Sequence, residues 1–388
     1  MWLATCTSVE RIDDFMKIAI PAETAAGENR VAASPDTVKA FVKKGLTVLV
    51  QSGAGRGANI SDADYHAVGA EIVKGIAVVK EADIVLGIRR PDPILLKMMK
   101  KNTVLVAGLE PYGDRKDLEA FARTGVTAFA MELMPRISRA QSMDILSSQS
   151  NLAGYKAVID AAAYYGRAFP MMMTAAGTVP PAKVFIMGVG VAGLQAIATA
   201  RRMGAIVSAT DVRKATEEQV KSLGAKFIFA DVADSATAGG YAKELSAEDK
   251  VKQAKLVSDH VKNQDVVITT ALIPGRAAPV LITQDMVESM KPGSVIVDLA
   301  VERGGNCLLS RPDEIVVHQG VSIIGTLNLA GHLAGNASLL FAKNLQNFVE
   351  LMIGKDGTLK IDESDECISG TMIARGGTLV HKMFAGAP

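Results

Sequence analysis

The sequence predicts an α/β protein with two domains, each built on a doubly wound, parallel β-sheet. Short apolar runs alternate with helix-like stretches along its 388 residues, and this alternation gives parallel sheets that helices cover on both faces. A chain of this length is also long for a single hydrophobic core, so that two domains are expected. We therefore assign a separate sheet to each half of the chain.

The first sheet is predicted from five strand-like runs. Ser34 and Pro35 predict the start of a helix after the first run, because serine caps a helix N-terminus and proline suits the first helical position. Residues 1–15 lack the apolar core of a secretory signal. They precede the first run, and we expect them to be a disordered extension. The five runs are 17–20, 47–50, 83–88, 103–107 and 126–130.

Two long helices are expected to join the domains. One spans Ser142–Arg167, where Ile145, Leu152 and Ile159 recur at seven-residue intervals and so share one helix face. The other includes Ser338–Ile353 and would cross back to the first domain. The first domain is assigned to 16–141 and 329–388, and the second to 142–328. We expect a ligand cleft between the two domains.

The second domain carries a glycine-rich motif, Gly188-Val-Gly190-Val-Ala-Gly193, between an apolar run and an alanine-rich stretch. In a strand-turn-helix of this kind Gly188 allows a tight turn, Gly190 lets backbone approach a pyrophosphate, and Gly193 lets the helix pack against the strand. The helix N-terminus then faces the phosphates with its N–H groups and positive dipole end. Six strand-like runs, the number in a full dinucleotide-binding (Rossmann-like) sheet, lie at 184–187, 206–210, 226–230, 265–270, 294–299 and 321–325.

Asp211 indicates which dinucleotide binds. It follows the run 206–210 and lies 23 residues after Gly188. At that position a carboxylate can accept hydrogen bonds from the adenosine ribose hydroxyls and would repel a 2′-phosphate. NAD(H) is therefore favoured over NADP(H).

The polar segment Pro135–Asp144 lies at the predicted domain junction and allows two interpretations. Arg136 and Arg139 can donate to phosphate or amide oxygens, Gln141 can donate and accept, and Asp144 can hold a donor of the ligand. Alternatively, the segment caps a helix, with Ser142 as the N-cap and Asp144 in the first turn.

Two other segments are harder to interpret. The small, polar stretch Asp231–Asp249 is long for a strand-to-helix link, and it is either a lid that contacts the dinucleotide through Tyr241 or a plain surface loop. Met171–Met173 is interpreted as core filler rather than as the wall of a cofactor site.

Composition excludes several classes of protein. The formal net charge of +1 gives no field for nucleic acid or an anionic membrane, and no apolar run approaches the ~20 residues that span a bilayer. The three cysteines are scattered without metal-ligand spacing, so we expect no metal, and a reducing cytoplasm suits them.

The five histidines are dispersed, and none lies beside the glycine motif or the Arg136 segment. A dehydrogenase of hydroxy or amino acids needs a general acid/base, because a proton moves with the hydride. Hydride transfer between two nicotinamide rings moves no proton at the reacting carbons, so positioning alone suffices. The missing histidine therefore favours transfer between nucleotides.

Five blocks together resemble the NAD(H)-binding alpha subunits of proton-translocating nicotinamide nucleotide transhydrogenases. The resemblance implies a homodimer that passes hydride from NADH to NADP⁺, where NADP(H) is bound on a partner subunit. It also implies a transmembrane subunit that couples the reaction to proton translocation, with this chain peripheral at the cytoplasmic face of the inner membrane. The blocks are 131–155, 174–184, 188–200, 269–275 and 293–307.

The resemblance also implies roles for individual residues. The catalytic set comprises a loop that positions the nicotinamide and a tyrosine that closes over the nucleotide: Arg136, Gln141, Asp144, Ser147 and Tyr241. The further NAD(H)-binding positions are Ile137, Ser138, Arg139, Gly188, Gly190, Val191, Ala192, Gly193, Asp211, Val212, Arg213, Gly240, Gln253 and Leu272.

Two alternatives stay open. Alanine dehydrogenase shares the architecture and the early pattern that contains Arg30, but the places of its lysine and histidine hold Arg89 and Gly108. The other alternative is a non-catalytic NAD(H)-sensing module. The chain departs from the transhydrogenase pattern after the sixth strand, where Ala330 and His332 replace a proline and an arginine.

Overall fold

The computed structural model describes residues 16–230, 246–273, 275–354 and 356–386. The expected extension 1–15 lies outside the described residues. The chain divides into two compact units, of which the first comprises 1–144 with 338–388 and the second 145–337. We number strands and helices separately along the whole chain.

The first unit is built on an eight-stranded sheet in the order β17-β16-β6-β5-β4-β1-β2-β3. Strands β1 to β6 pair in parallel, and five of them match the predicted runs. The sequence did not indicate β3 or the antiparallel edge formed by β16 and β17. Its strands are β1 Lys17–Ile20, β2 Thr47–Gln51, β3 Glu71–Val73, β4 Ile84–Leu86, β5 Val104–Ala107, β6 Thr127–Ala130, β16 Met372–Arg375 and β17 Thr378–Leu379.

Short helices cover this sheet. The predicted start of the first helix is confirmed: the Ser34 hydroxyl accepts from the Thr37 amide, the Thr37 hydroxyl accepts from the Ser34 amide, and Pro35 takes the first helical position. The helices are α1 Pro35–Lys43, α2 Asp62–Ala67, α3 Pro93–Met98, α4 Arg115–Ala122 and α11 Glu366–Thr371.

The second unit is built on a seven-stranded sheet in the order β11-β10-β9-β12-β13-β15-β14. Six strands are parallel, as predicted, and β14 pairs antiparallel with β15 at an edge that the sequence did not indicate. The strands are β9 Lys183–Met187, β10 Ile206–Thr210, β11 Lys226–Phe227, β12 Val266–Thr269, β13 Val295–Asp298, β14 Ile315–His318 and β15 Val321–Ile324.

Strand β9 is buried on both faces, which explains why it reads as a continuous apolar run. Val184 and Ile186 belong to one buried cluster of this unit, and Phe185 and Met187 belong to another. The helices of the unit are α5 Ile145–Tyr165, α6 Val191–Arg202, α7 Glu217–Ser222, α8 Ala247–Val261 and α9 Gln284–Glu288.

The helix predicted from Ser142 begins three residues later. Residues Ser138–Met143 form a 3₁₀-helix and Asp144 has extended backbone, so α5 starts at Ile145. The interpretation of Ser142 as the cap of this helix is therefore wrong. Helix α5 packs tightly on α6, because a Cβ on Gly154 would lie 2.1 Å from the Ala192 carbonyl oxygen.

The last long helix, α10, spans Ala334–Val349 and crosses the boundary between the units. It begins four residues before the predicted start at Ser338, whose hydroxyl accepts a hydrogen bond from the Val31 amide. The ligand cleft expected between the domains stays a prediction. Within the described ranges, no helix is both long and apolar enough to cross a membrane.

The three consecutive methionines are not core filler. Strand β7 (Met172–Thr174) pairs antiparallel with β8 (Gly177–Val179), and in the part of the chain that the structure describes these two strands pair only with each other. Met171, Met172 and Met173 are exposed, Met173 to 78%. The prediction failed because residues 171–180 are exposed, with no other element covering the hairpin among the described residues of its unit.

Candidate nucleotide site

The glycine motif lies at the carboxyl end of β9. The strand order places β10 on one side of β9 and β12 on the other, so this is the point where the direction of winding reverses and where open α/β sheets bind ligands. Gly188 has φ +102°, a conformation that favours glycine, and its amide donates to the Thr210 carbonyl oxygen at 2.9 Å. The predicted tight turn is confirmed.

The other two glycines differ in what surrounds them. A Cβ on Gly193 would lie 1.9 Å from the Gly188 carbonyl oxygen, so α6 packs directly on the turn, as predicted. A Cβ on Gly190 would meet nothing within 4 Å, and Gly190 is exposed. The structure therefore leaves space beside the backbone of Gly190, where the motif predicts a pyrophosphate.

Helix α6 presents its N-terminus at the same place. Gly190 is the N-cap residue and offers no side-chain cap, and Val191, Ala192 and Gly193 form the first turn. The first amides of a helix lack intrahelical acceptors and carry the positive end of its dipole, which suits an anion. This end of α6 can therefore bind a diphosphate.

Asp211 is buried next to the turn, where both of its carboxylate oxygens already accept hydrogen bonds. Oδ2 accepts from the Val189 amide at 2.7 Å and from Arg213 Nη2 at 2.8 Å. Oδ1 accepts from the Arg213 amide and Nε at 2.9 and 2.8 Å. The close carboxylate raises the pKa of Arg213. A ribose that binds Asp211 would compete with this guanidinium; Val212, between them, is half-buried.

Gln253 on α8 has an unsatisfied acceptor beside the same strand end. Its Nε2 donates to Thr210 Oγ1 at 3.0 Å, whereas its buried Oε1 accepts no hydrogen bond among the described residues. A buried acceptor without a partner is costly, so Oε1 suits a hydroxyl or amino donor of a ligand. With the space at Gly190, this oxygen makes the second unit fit a dinucleotide.

Sequence reasoning missed Thr270, which follows β12 and secures the turn. Its hydroxyl donates to the Gly188 carbonyl oxygen at 3.1 Å, and a Cβ on Gly188 would lie 2.5 Å from that hydroxyl. Only its place in the block 269–275 could have indicated this role. Leu272, two residues further on, is 48% exposed, as a nucleotide contact would need to be.

The segment from Arg136 to Asp144 belongs to the first unit. Asn344 and Asn347 of α10 each donate to the Ser142 carbonyl oxygen, at 2.8 and 3.0 Å, and so anchor its 3₁₀-helix. Arg136, Ser138, Arg139 and Gln141 are exposed, and Ile137 and Asp144 are half-buried.

Arg139 has a structural partner that the sequence did not indicate. Its two terminal nitrogens donate to the two carboxylate oxygens of Asp365, at 2.8 and 2.7 Å, and the guanidinium lowers the pKa of that carboxyl. Its predicted contact with a nucleotide stays a prediction. It also stays a prediction that this segment and the glycine turn bind the same nucleotide, together with Ser147 in the first turn of α5.

The expected lid falls mainly outside the described residues, which exclude 231–245 and thus both Gly240 and Tyr241. Its last residues are helical rather than looped: Ser246 caps α8, and its hydroxyl accepts from the Asp249 amide at 3.2 Å.

Arg30, a possible remnant of a substrate site, is bound to a buried carboxylate in the first unit. Glu28 Oε1 and Oε2 accept from Arg30 Nε and Nη2, both at 2.7 Å, and Oε2 also accepts from Arg89 Nε at 2.8 Å. A side chain at Gly108 would clash, because a Cβ there would lie 2.7 Å from the Ile88 carbonyl oxygen. These contacts favour a structural role for Arg30.

Comparison with known proteins matches both halves of the chain to one family. Residues 19–153 match the N-terminal domain and 157–382 the C-terminal domain of the family described as "Alanine dehydrogenase/PNT". A curated relative from Rhodospirillum rubrum, named as the first portion of the alpha subunit of NAD(P) transhydrogenase, is 55% identical over 96% of this chain and 99% of its own.

Two further relatives show the range of the family. The crystal structure of transhydrogenase from Sinorhizobium meliloti is 52% identical with a TM-score of 0.87, over 94% of this chain and all of the other. "Alanine dehydrogenase 2" of Staphylococcus aureus is 31% identical over 96% of both chains.

Proposed function

The chain belongs to the alanine dehydrogenase/PNT family, and from that premise we propose that it is the NAD(H)-binding subunit of a proton-translocating transhydrogenase. The name of the Rhodospirillum rubrum relative supports the activity, because that protein is similar to almost the whole of this chain. The single structural observation that carries the proposal is the open space at Gly190, beside the first turn of α6.

In this proposal NADH binds across the carboxyl end of the second sheet. Its diphosphate lies against the amides of the first turn of α6, because those amides suit an anion. Its adenosine ribose hydroxyls replace Arg213 as donors to Asp211, and Gln253 Oε1 accepts from the same half of the nucleotide. The carboxylate of Asp211 excludes the 2′-phosphate of NADPH from this site by like-charge repulsion.

The chemical step moves a hydride from the dihydronicotinamide carbon of NADH to the matching carbon of NADP⁺ on a partner subunit, which yields NAD⁺ and NADPH. No proton leaves or joins either carbon, so the protein supplies position and excludes water. We assign the positioning to Arg136, Gln141, Asp144 and Ser147, and the closure over the nucleotide to Tyr241.

The assembly that we propose is a homodimer, which works with an NADP(H)-binding subunit and a transmembrane subunit at the cytoplasmic face of the inner membrane. The hairpin β7–β8 supports the dimer, because Met172, Met173 and Val179 are exposed together on its two strands. Exposed apolar patches of this kind are typical of protein contacts.

Reconstitution tests the activity. The purified chain is mixed with the NADP(H)-binding subunit of a relative, and NADH is supplied with thio-NADP⁺, whose reduction has its own absorbance. We expect reduction that requires both proteins and that falls when Arg136 or Gln141 is changed to alanine. A complex that demonstrably forms, binds both nucleotides and transfers no hydride would refute this activity and favour an NAD(H)-sensing role.

An amino-acid dehydrogenase is the second candidate, because the Staphylococcus aureus relative is named alanine dehydrogenase. The contacts of Glu28 with Arg30 and Arg89 argue against it, since they occupy the guanidinium that would hold a substrate carboxylate. Reduction of NAD⁺ by L-alanine with the chain alone would establish this candidate and displace the first.

A further inference from the structure

The site described so far uses only Thr270 and Leu272 from two of the five blocks that carry the resemblance, both of which lie in the second unit. The block 269–275 follows β12, and the block 293–307 contains β13 and the loop after it. One side chain, Asn306, joins them. We propose that Asn306 is a positioning residue of the NAD(H) site, which holds the backbone at Ala271 so that Thr270 secures the glycine turn and Leu272 meets the nucleotide. This inference rests on the proposed NAD(H)-binding function.

The amide group of Asn306 clamps the backbone that follows β12. Its Oδ1 accepts from the Ala271 amide at 3.0 Å, and its Nδ2 donates to the carbonyl oxygens of Ala271 and Pro279 at 2.9 and 2.8 Å. Asn306 is fully buried, so water does not compete for these bonds. The Asn306 side chain thus binds both the amide and the carbonyl oxygen of Ala271 and holds this residue in place.

Backbone hydrogen bonds also tie Asn306 to the end of the same loop. Its carbonyl oxygen accepts from the amides of Leu281 and Ile282 at 2.8 and 2.9 Å. These two bonds hold the chain just beyond Pro279. The loop after β12 is therefore tied to Asn306 at its beginning and at its end.

Asp298, the last residue of β13, fixes the backbone next to Asn306. Its Oδ2 accepts from the Cys307 amide at 3.0 Å and from Ser310 Oγ at 2.7 Å, and its Oδ1 accepts from Thr269 Oγ1 and the Ala300 amide at 3.1 and 2.9 Å. Four donors satisfy this fully buried carboxylate. Because Cys307 adjoins Asn306, this network fixes the backbone from which the Asn306 side chain extends.

The clamp reaches the nucleotide turn through the neighbour of Ala271. The Thr270 amide donates to the Met187 carbonyl oxygen at 2.8 Å, and its hydroxyl donates to the Gly188 carbonyl oxygen at 3.1 Å. A displacement of Ala271 therefore moves a group that contacts the glycine turn. It also moves Leu272, the exposed side chain next along the chain.

The test compares Asn306→Ala with a matched core variant, Val321→Ala. Val321 is fully buried at the amino end of β15, whereas the glycine turn lies at the carboxyl end of the sheet. Thermal unfolding first measures how far each variant is destabilised, and fluorescence titration then measures its Kd for NADH. Hydrogen exchange of the full chain reports the protection of the Ala271 amide.

We expect Asn306→Ala to raise the Kd for NADH about tenfold or more and to lose protection at Ala271, because three hydrogen bonds to the loop disappear. We expect Val321→Ala to keep a Kd within about twofold of the unchanged protein despite a comparable loss of thermal stability. In Asn306→Asp, binding should strengthen as the pH falls, because a protonated carboxyl regains a donor for one carbonyl oxygen.

Two results would overturn the inference: a Kd of Asn306→Ala within twofold of the unchanged protein, or an equal loss of affinity in Val321→Ala. In both cases the unchanged protein binds NADH, so the proposed function survives. If the unchanged protein itself fails to bind NADH, the proposed function falls, and the inference falls with it.

Discussion

The clearest prediction concerns two glycines of one turn, Gly190 and Gly193, each changed to alanine. The added methyl group is the same, but its surroundings differ. At Gly190 a Cβ meets nothing within 4 Å and the backbone has φ −85°, which alanine adopts readily. At Gly193 a Cβ would lie 1.9 Å from the Gly188 carbonyl oxygen. We expect Gly190→Ala to lose nucleotide binding and Gly193→Ala to lose stability.

The structure sets the magnitudes. For Gly190→Ala, a less favourable N-cap costs about 1 kcal/mol, and the smaller freedom of the unfolded chain returns about 0.4–1 kcal/mol, so Tm should stay within about 4 °C. A methyl group beside the phosphate path that removes one hydrogen bond to a charged oxygen costs about 1.5–3 kcal/mol, or about 10–150-fold in Kd. For Gly193→Ala, overpacking of about 1–3 kcal/mol lowers Tm by about 2–12 °C.

The assay pairs thermal unfolding of each variant without nucleotide with titration of NADH against protein fluorescence. The two variants control for each other, because they place one methyl group at neighbouring positions of the same helix. The reasoning is refuted if Gly190→Ala binds NADH within twofold of the unchanged protein, or if its Tm falls as far as that of Gly193→Ala.

Three further predictions follow from other residues. Asp211→Ala should weaken NADH binding about tenfold and reduce the preference of the protein for NADH over NADPH. Although the resemblance implies that Arg213 binds NAD(H), Arg213→Ala should keep or improve NADH affinity, because its guanidinium occupies the carboxylate of Asp211. Equal affinities in both variants and the unchanged protein would show that Asp211 is misassigned. Burial raises the pKa of Glu23 from 4.5 to about 7, so the folded protein loses stability as the pH rises through that interval. The Tm of Glu23→Gln should therefore exceed that of the unchanged protein by an amount that grows from pH 4.5 to 7 and then levels off. A Tm difference independent of pH would contradict this. Changing Met172 and Met173 together to serine should turn a dimer into a monomer in light scattering without lowering the Tm of the second unit, and an unchanged mass would exclude the hairpin from the contact.

Much of the second sheet was predictable, because its parallel strands are buried on both faces and therefore appear as unbroken apolar runs. The run 206–210 coincides with β10, and Val184–Met187 falls within β9. The edges were harder to predict: β14, which alternates between more and less exposed residues, was not expected, and β11 is two residues long where the run 226–230 predicted five. Such short or half-exposed strands form because they pack against a neighbouring strand, and the local sequence does not show which strand that is.

By itself, the sequence determined the strand-turn-helix of the glycine motif, since three glycines at fixed spacing meet a local steric demand of the backbone. Only the tertiary structure decided which polar groups meet there. Asp211 and Arg213 lie close along the chain, yet their pairing across both carboxylate oxygens depends on side-chain geometry. Arg139 and Asp365, or Asn306 and Ala271, are far apart along the chain and are joined by the fold. Spacing along a chain predicts local backbone, whereas hydrogen-bond partners distant in sequence are set by how whole elements pack.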